Sequence, residues 1–284
     1  MKPNDSPDDS ELALKAIRSR KRLLTAIHHA GAGHTGGSLS CLDILLVLYH
    51  RILQTSPDRL HDPARDRYIQ SKGHSVEALY VVLADLGYFP DSELDTLCGY
   101  GSPFVGHPTR KVPGIEMNTG ALGHGLPVSV GLALASKMDN AGFRVFTLLG
   151  DGELAEGSNW EAAMAAAHYK LDDLTAIIDH NTLQITGRTR DICSNEPLDE
   201  KFRAFGWSVR IVNGHNHAEL TRVLSGPGEK DKPTCVIANT TKGKGVSFME
   251  NAAKWHHGVP TDDEFNRAIE ELNTAEAKLT QVSL

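Results

Sequence analysis

Two short clusters in the chain can bring oxygen ligands to one place. Gly150-Asp151-Gly152 follows the apolar run 145–149, and Asp179-His180-Asn181 follows a second apolar run, 174–178. About thirty residues separate them, the length of one strand–helix–strand unit. Open parallel sheets bind ligands outside the carboxyl ends of their strands, so Asp151 and Asn181 are expected at the same edge. One carboxylate, one amide oxygen and a nearby main-chain carbonyl form a hard-oxygen set suited to Mg²⁺ or Ca²⁺. An ion held this way keeps its other positions for phosphate oxygens or water and neutralises a diphosphate. The glycines let the backbone approach a ligand closely. GDG alone reads equally well as a strand-end turn; the second cluster tips it towards a ligand.

Histidines supply the other chemistry. The chain has 14 histidines and 26 glycines, and several fall together in AGHTGGSLS, SKGHS, VGHP and KWHHGVP. Imidazole both takes and gives a proton near neutrality. One histidine in a glycine-rich loop is usually structural, and His28, His29, His50, His61, His168, His215 and His217 are read as surface or packing residues. Glu156 is either a functional acid or a first-turn carboxylate favoured by the helix dipole. Lys242 and Lys244, in KGKG, read equally as a phosphate-binding turn or a solvated loop.

The elements that must position these groups alternate between helix and strand. Residues 1–9 read as disordered. Ser10 is expected to cap a helix to about residue 29. A loop over 32–39 leads to Ser40, which with Asp43 predicts a capped helix over 41–53. Short strands are expected at 67–70, 144–149, 174–179, 209–212 and 234–238. Further helices are expected at 76–86, 92–98, 126–138, 159–169, 200–205 and 218–224. Thr261 with Glu264 forms a capping box for a last helix to about 279. The glycine- and histidine-rich stretch 102–125 is too long for a simple turn, and such loops usually carry function. This order predicts an α/β fold with a parallel sheet flanked by helices, as one domain over 10–284.

Composition narrows the function classes. Forty per cent apolar residues in 284 are enough for a core. A net charge of −7 with no basic run disfavours nucleic acid and anionic membrane as partners. The longest apolar runs, such as 42–49, are far shorter than a bilayer span. The polar, acidic start over 1–11 is no signal or transit peptide. Cys41, Cys98, Cys193 and Cys235 lie far apart, which reads as buried thiols in a reducing cytoplasm.

The stretch GDGELAEGSNWEAAMAAAHYKLDDLTAIIDHN resembles the thiamine-diphosphate motif of the transketolase family. AGHTGGSLS, RDRYIQSKGHS, VGHP, TGALGHGLPVSVGLALASK and TTKGKGVSFMENAAKWHHGVP resemble further segments of that family, in the same order. The resemblance implies the thiamine-diphosphate-binding (diphosphate-domain) fold. It implies that Asp151, Asn181 and the carbonyl of Leu183 hold Mg²⁺ (or Ca²⁺ or Mn²⁺). By the same resemblance Gly120, the Leu122 backbone, Gly150, Gly152, Glu156 and Asn181 bind thiamine diphosphate. His74 and His257 lie near the diphosphate and the reacting carbons, and His34 and His107 face the donor sugar's hydroxyls. Those four histidines are the candidate catalytic residues. Glu156 and Glu161 match glutamates of a carboxylate network at the family's subunit interface. His124, Thr35 and Thr109 depart from the residues common in the family, which leaves the sugar open.

The resemblance covers only the first part of a full-length transketolase. It implies a diphosphate-binding subunit of a split transketolase, paired with a second subunit carrying the pyrimidine domain, as α2β2. The activity implied is transfer of a two-carbon ketol unit between sugar phosphates. A 1-deoxyxylulose-phosphate synthase-like or 2-oxoacid dehydrogenase-type chain, which pyruvate consumption would mark, and a non-catalytic assembly subunit stay open. A nicotinamide-dependent dehydrogenase is disfavoured, since no G-x-G-x-x-G follows a strand.

Overall fold

The computed structural model describes residues 6–282. Its strands are β1 (Arg67–Gln70), β2 (Val145–Gly150), β3 (Leu174–His180), β4 (Leu183–Gln184), β5 (Gly187–Arg188), β6 (Ser208–Asn213) and β7 (Thr234–Asn239). Its helices are α1 (Asp9–Ala30), α2 (Thr35–Val47), α3 (Val76–Asp85), α4 (Gly125–Asp139), α5 (Gly157–His168), α6 (Thr189–Ile192), α7 (Leu198–Ala204), α8 (His217–Ser225) and α9 (Asp262–Val282). The five longer strands form one parallel sheet in the order β1-β2-β3-β7-β6. All five segments read as strands therefore lie in it.

Successive side chains of a strand point to opposite faces. Ile177 of β3 accordingly joins a core with Leu42, Val82 and Leu220, while Ile178 joins another with Leu126, Ala163 and Phe202. The first face is covered by α1, α2, α3 and α8, the second by α4, α5 and α7. Both faces of the central strands are buried, as a parallel sheet requires, while the edge strand β6 leaves Ile211 exposed. Among the described residues no helix is long and apolar enough to cross a membrane.

The structure differs from the sequence reading mainly at helix starts. The cap of α1 is Asp8, not Ser10: Asp8 accepts from the Glu11 N–H at 2.8 Å and Glu11 accepts from the Asp8 N–H at 2.9 Å. Residues 6–9 are thus described up to the helix, while 1–5 of the segment read as disordered lie outside the described residues. Helix α2 begins at Thr35, inside the expected loop, and all thirteen of its residues are buried. Ser40 does not cap it. Its hydroxyl donates to Asp179 at 2.6 Å, and Asp43 binds Arg20, His215 and His217 at 2.6, 2.7 and 2.9 Å. Side chains that look locally like a cap are claimed by distant partners. Residues 91–96 form a 3₁₀ helix instead of the expected α-helix. The hairpin β4–β5 and α6, too short to show periodicity, escaped the sequence reading.

The capping box at α9 is present: the Thr261 hydroxyl and the Glu264 carboxylate each accept the other's backbone N–H, at 3.3 and 3.1 Å. Cys41 and Cys235 are buried as expected, but Cys98 and Cys193 are exposed. Cys98 sits in a surface turn at φ +56° and Cys193 follows the short α6, so neither reaches a core.

Candidate active site

The carboxyl ends of β1, β2, β3 and β7 lie along one edge and carry Ser71–His74, Gly150–Gly152, Asp179–Asn181 and Thr240–Lys242. Asp151 leaves β2 with one oxygen accepting from the Gly152 N–H at 2.9 Å and the other from the Thr182 N–H at 2.6 Å. The Asn181 amide oxygen accepts from the Leu183 N–H at 3.1 Å, across a left-handed Thr182 at φ +63°. Asp151, Asn181 and the start of β4 at Leu183 are therefore gathered around one turn. Burial and the Asp179 carboxylate push Asp151 up to about 6, so a cation beside it would relieve both penalties.

Beneath this turn sit two buried lysines, 1% and 2% exposed. Lys72 pairs with Asp179, which also accepts from Ser40, Thr240 and Asn181. Burial opposes both charges, yet their attraction raises Lys72 and lowers Asp179. Lys242 meets no carboxylate oxygen within 4 Å among the described residues. It donates to the Leu183 carbonyl at 3.3 Å and bonds His256 Nδ1 at 2.8 Å. Burial and Lys72 pull it down to about 8. A buried cation without a counter-ion, next to three hard oxygen donors, fits a magnesium-bound diphosphate. KGKG is thus no solvated loop at Lys242, although Lys244 is part-exposed.

The histidines converge above it. Ring centroids of His74, His107 and His257 lie 5.3, 5.9 and 4.5 Å from His34. All four expected histidines therefore meet, although 223 positions separate His34 from His257. A fifth joins them: His256 is 5.7 Å from His34 and stacks on His74 at 5.1 Å. Burial is the first cause that lowers His34 to about 4 and His256 to about 3, and it also lowers His74 and His107. Neighbouring imidazoles and the two lysines lower His34, His74 and His256 further.

Close backbone contacts set these rings. A Cβ at Gly73 would stand 2.7 Å from the Gly120 nitrogen, and one at Gly120 would stand 2.6 Å from the His107 ring. Positions 73 and 120 must therefore be glycine. Glu153, 2% exposed, accepts from Ser71 Oγ at 2.5 Å and from the Gly123 and Gly150 N–H groups at 3.0 Å each. It ties the GALG loop, and with it Leu122, to GDG.

Thr35 donates its hydroxyl to the Gly258 carbonyl at 2.6 Å and so fastens the His256–His257 turn to α2. Thr35→Val, nearly the same shape, is expected to destabilise the fold by about 1 kcal/mol in urea titrations, while Thr35→Ser keeps the bond. Equal midpoints for Val and Ser would show that the Gly258 carbonyl does not depend on this hydroxyl.

Glu156 and Glu161 stay outside the cluster. Both are exposed on α5, Glu156 at its N-cap with its stem against Gly123. His124 is exposed at the N-cap of α4. The sequence reading missed Lys72, Glu153 and His256, which stand beside His74, Asp151 and His257 in SKGHS, GDGE and KWHHG. Adjacency to a named residue was the available signal.

Residues 11–279 match the family described as "Transketolase, thiamine diphosphate binding domain". The chain is 50% identical over 269 residues to one subunit of the apulose-4-phosphate transketolase of Phocaeicola vulgatus, covering 94% of this chain and 96% of that one. It is 44% identical to a 6-deoxy-6-sulfo-D-fructose transketolase subunit of a Clostridium species, covering 94% and 98%. Among solved structures it superposes on a Pichia stipitis transketolase in complex with sedoheptulose 7-phosphate, with a TM-score of 0.83 and 25% identity. That match covers 95% of this chain and 45% of the other. The edge that gathers Asp151, Asn181, Lys242 and the histidines thus has a family, and the chain belongs to it: it is a member of the transketolase family carrying the thiamine-diphosphate-binding domain.

Proposed function

We propose that the chain is the diphosphate-binding subunit of a two-subunit transketolase, moving a two-carbon ketol unit between sugar phosphates. The observation that carries this reading is the junction of the hard-oxygen turn at 151–183 with a cluster in which His34 meets the rings of His74, His107, His256 and His257. In this reading Asp151, Asn181 and the Leu183 carbonyl hold the divalent ion, and Lys242 faces the diphosphate. Gly120, Leu122, Gly150 and Gly152 line the cofactor, with Glu156 at the margin. Thiamine diphosphate supplies the carbanion chemistry when bound.

The chain's own residues handle protons. His34, His74, His107 and His256 are held below the ordinary imidazole range, so they stand uncharged at neutral pH. An uncharged ring accepts a hydroxyl proton, and a ring with a lowered pKa gives it back readily. That suits carbon–carbon cleavage, which takes a proton from a hydroxyl, followed by addition, which returns one to an alkoxide. His34 and His107 are the rings assigned to the sugar hydroxyls, and His74 and His257 those assigned near the diphosphate and reacting carbons.

A pyrimidine-domain partner in an α2β2 complex completes the reading. Its support is that the Phocaeicola relative, aligned over 96% of its length, is itself named as one subunit of a transketolase. The partner supplies the groups that activate the cofactor's aminopyrimidine. The test is conversion of sedoheptulose 7-phosphate and glyceraldehyde 3-phosphate to two pentose phosphates, with thiamine diphosphate and Mg²⁺. Activity is expected from the chain with its partner and not from the chain alone. Full turnover by the lone chain would remove the partner from the account, and no transfer by the complex from sedoheptulose 7-phosphate, apulose 4-phosphate or 6-deoxy-6-sulfo-D-fructose donors would remove the reaction.

A further inference from the structure

Glu77 is a buried acid that none of the chemistry above uses. It stands in the first turn of α3, 2% exposed. One carboxyl oxygen accepts from the His34 backbone N–H at 3.0 Å, and the other from the Ser38 hydroxyl at 2.8 Å. It makes no ion pair among the described residues. A carboxyl group is costly to bury without a counter-ion, so what it holds is the feature to explain.

Both partners belong to the entrance of α2. His34 is the residue before the helix, with φ −109° and ψ 72°. Its ring is placed without hydrogen bonds to any described residue: Nδ1 is buried and unpartnered, and the ring meets other imidazoles. With no side-chain hydrogen bond to orient it, the ring's place depends on where its main chain is held. That main chain is held at two points. The His34 carbonyl accepts from the Ser38 N–H at 3.1 Å within the helix, and the His34 N–H reaches Glu77. The preceding Gly33 has φ +152°, and a Cβ there would stand 3.0 Å from the Glu77 oxygen. Glu77 is thus packed directly under the turn that launches His34.

We propose that Glu77 is a positioning residue for His34: its carboxyl group grips the entrance of α2 at Gly33–Ser38 and so aims the His34 imidazole into the five-histidine cluster. What His34 does there rests on the transketolase reading above; how it is held does not. The groups facing Glu77 are His34 and Ser38 from the α2 entrance, Tyr80 on α3 and Cys98 from the turn after the 3₁₀ helix, and none is a counter-ion. Burial pushes Glu77 up to about 7. A protonated acid keeps its grip, because the Ser38 hydroxyl can accept as well as donate. Once ionised, the same group places a negative charge under the His34 ring.

The test compares Glu77→Met, which keeps the length and removes both acceptors, with Glu77→Gln, which keeps an acceptor and cannot ionise. In the complex with the partner subunit, thiamine diphosphate and Mg²⁺, Glu77→Met is expected to lower kcat at least about tenfold. KM for sedoheptulose 7-phosphate should move less than about threefold. Deuterium exchange at the His34 amide should accelerate at least about tenfold in the same variant. Glu77→Gln should restore most of kcat and the wild-type exchange rate at the His34 amide. A folded Glu77→Met enzyme with wild-type kcat and wild-type His34 exchange overturns the proposal. If Glu77→Met does not fold, Ser38→Ala decides, because it frees the second Glu77 oxygen: faster exchange at the His34 amide supports the proposal, and exchange at the wild-type rate overturns it. Should the wild-type complex transfer no ketol unit, the functional reading fails, and exchange at His34 still decides what Glu77 holds.

Discussion

Asp151→Ala is expected to weaken metal-dependent binding of thiamine diphosphate by more than about 100-fold, since loss of mere supporting contacts at metal sites already costs 10- to 100-fold. The turn at 151–183 offers the ion one carboxylate, one amide oxygen and one carbonyl, and only the carboxylate carries charge. Without it, the negative diphosphate meets Asp179 with less neutralising charge nearby. The backbone cost should be modest, because Asp151 accepts from two N–H groups that water can replace at this edge. Calorimetric titration of the vitamin into the complete complex, with and without Mg²⁺, reads the effect directly. An unchanged affinity in a folded Asp151→Ala complex would sink the metal assignment and the functional reading with it.

Lys72→Met is the second large effect, and it acts on the fold. Lys72 and Asp179 are 1% and 0% exposed in their side chains, and the pair joins the end of β3 to the loop after β1. Removing the cation leaves Asp179 charged and buried, or protonated while Ser40, Thr240 and Asn181 still donate to it. Removing one member of such a pair typically costs about 3–5 kcal/mol. Denaturant unfolding should show that loss, with the slope unchanged. Replacing both members, Lys72→Met with Asp179→Leu, should recover a large part of it, because no unpaired charge remains. A single Lys72→Met variant within about 1 kcal/mol of wild type would mean that the pair does not hold this edge together.

Which features were legible follows from the range of the forces involved. The strands at 145–150 and 174–180 showed as apolar runs because a parallel sheet buries both faces, and burial is written residue by residue. GDG and the asparagine thirty positions on were legible for a related reason, since one strand–helix–strand unit brings its two strand ends to one edge. The start of α2 was not legible. Ser40 and Asp43 have the spacing of a cap, and only the folded chain shows Asp179 taking the first and Arg20 with two histidines taking the second. His215 and His217 were read as bland for the same reason: their partner lies 172 and 174 positions away.

By itself, then, the sequence determined the parallel α/β order, the hard-oxygen pair Asp151 and Asn181, and the set of histidines able to move protons. Only the tertiary structure decided that His256 joins that set, that Lys242 is buried without a counter-ion, and that Glu77 grips His34. Local pattern records what each segment buries and where it turns. It does not record which side chains from distant segments share one dry pocket, and in such a pocket desolvation and neighbouring charge determine what a histidine, lysine or glutamate can do.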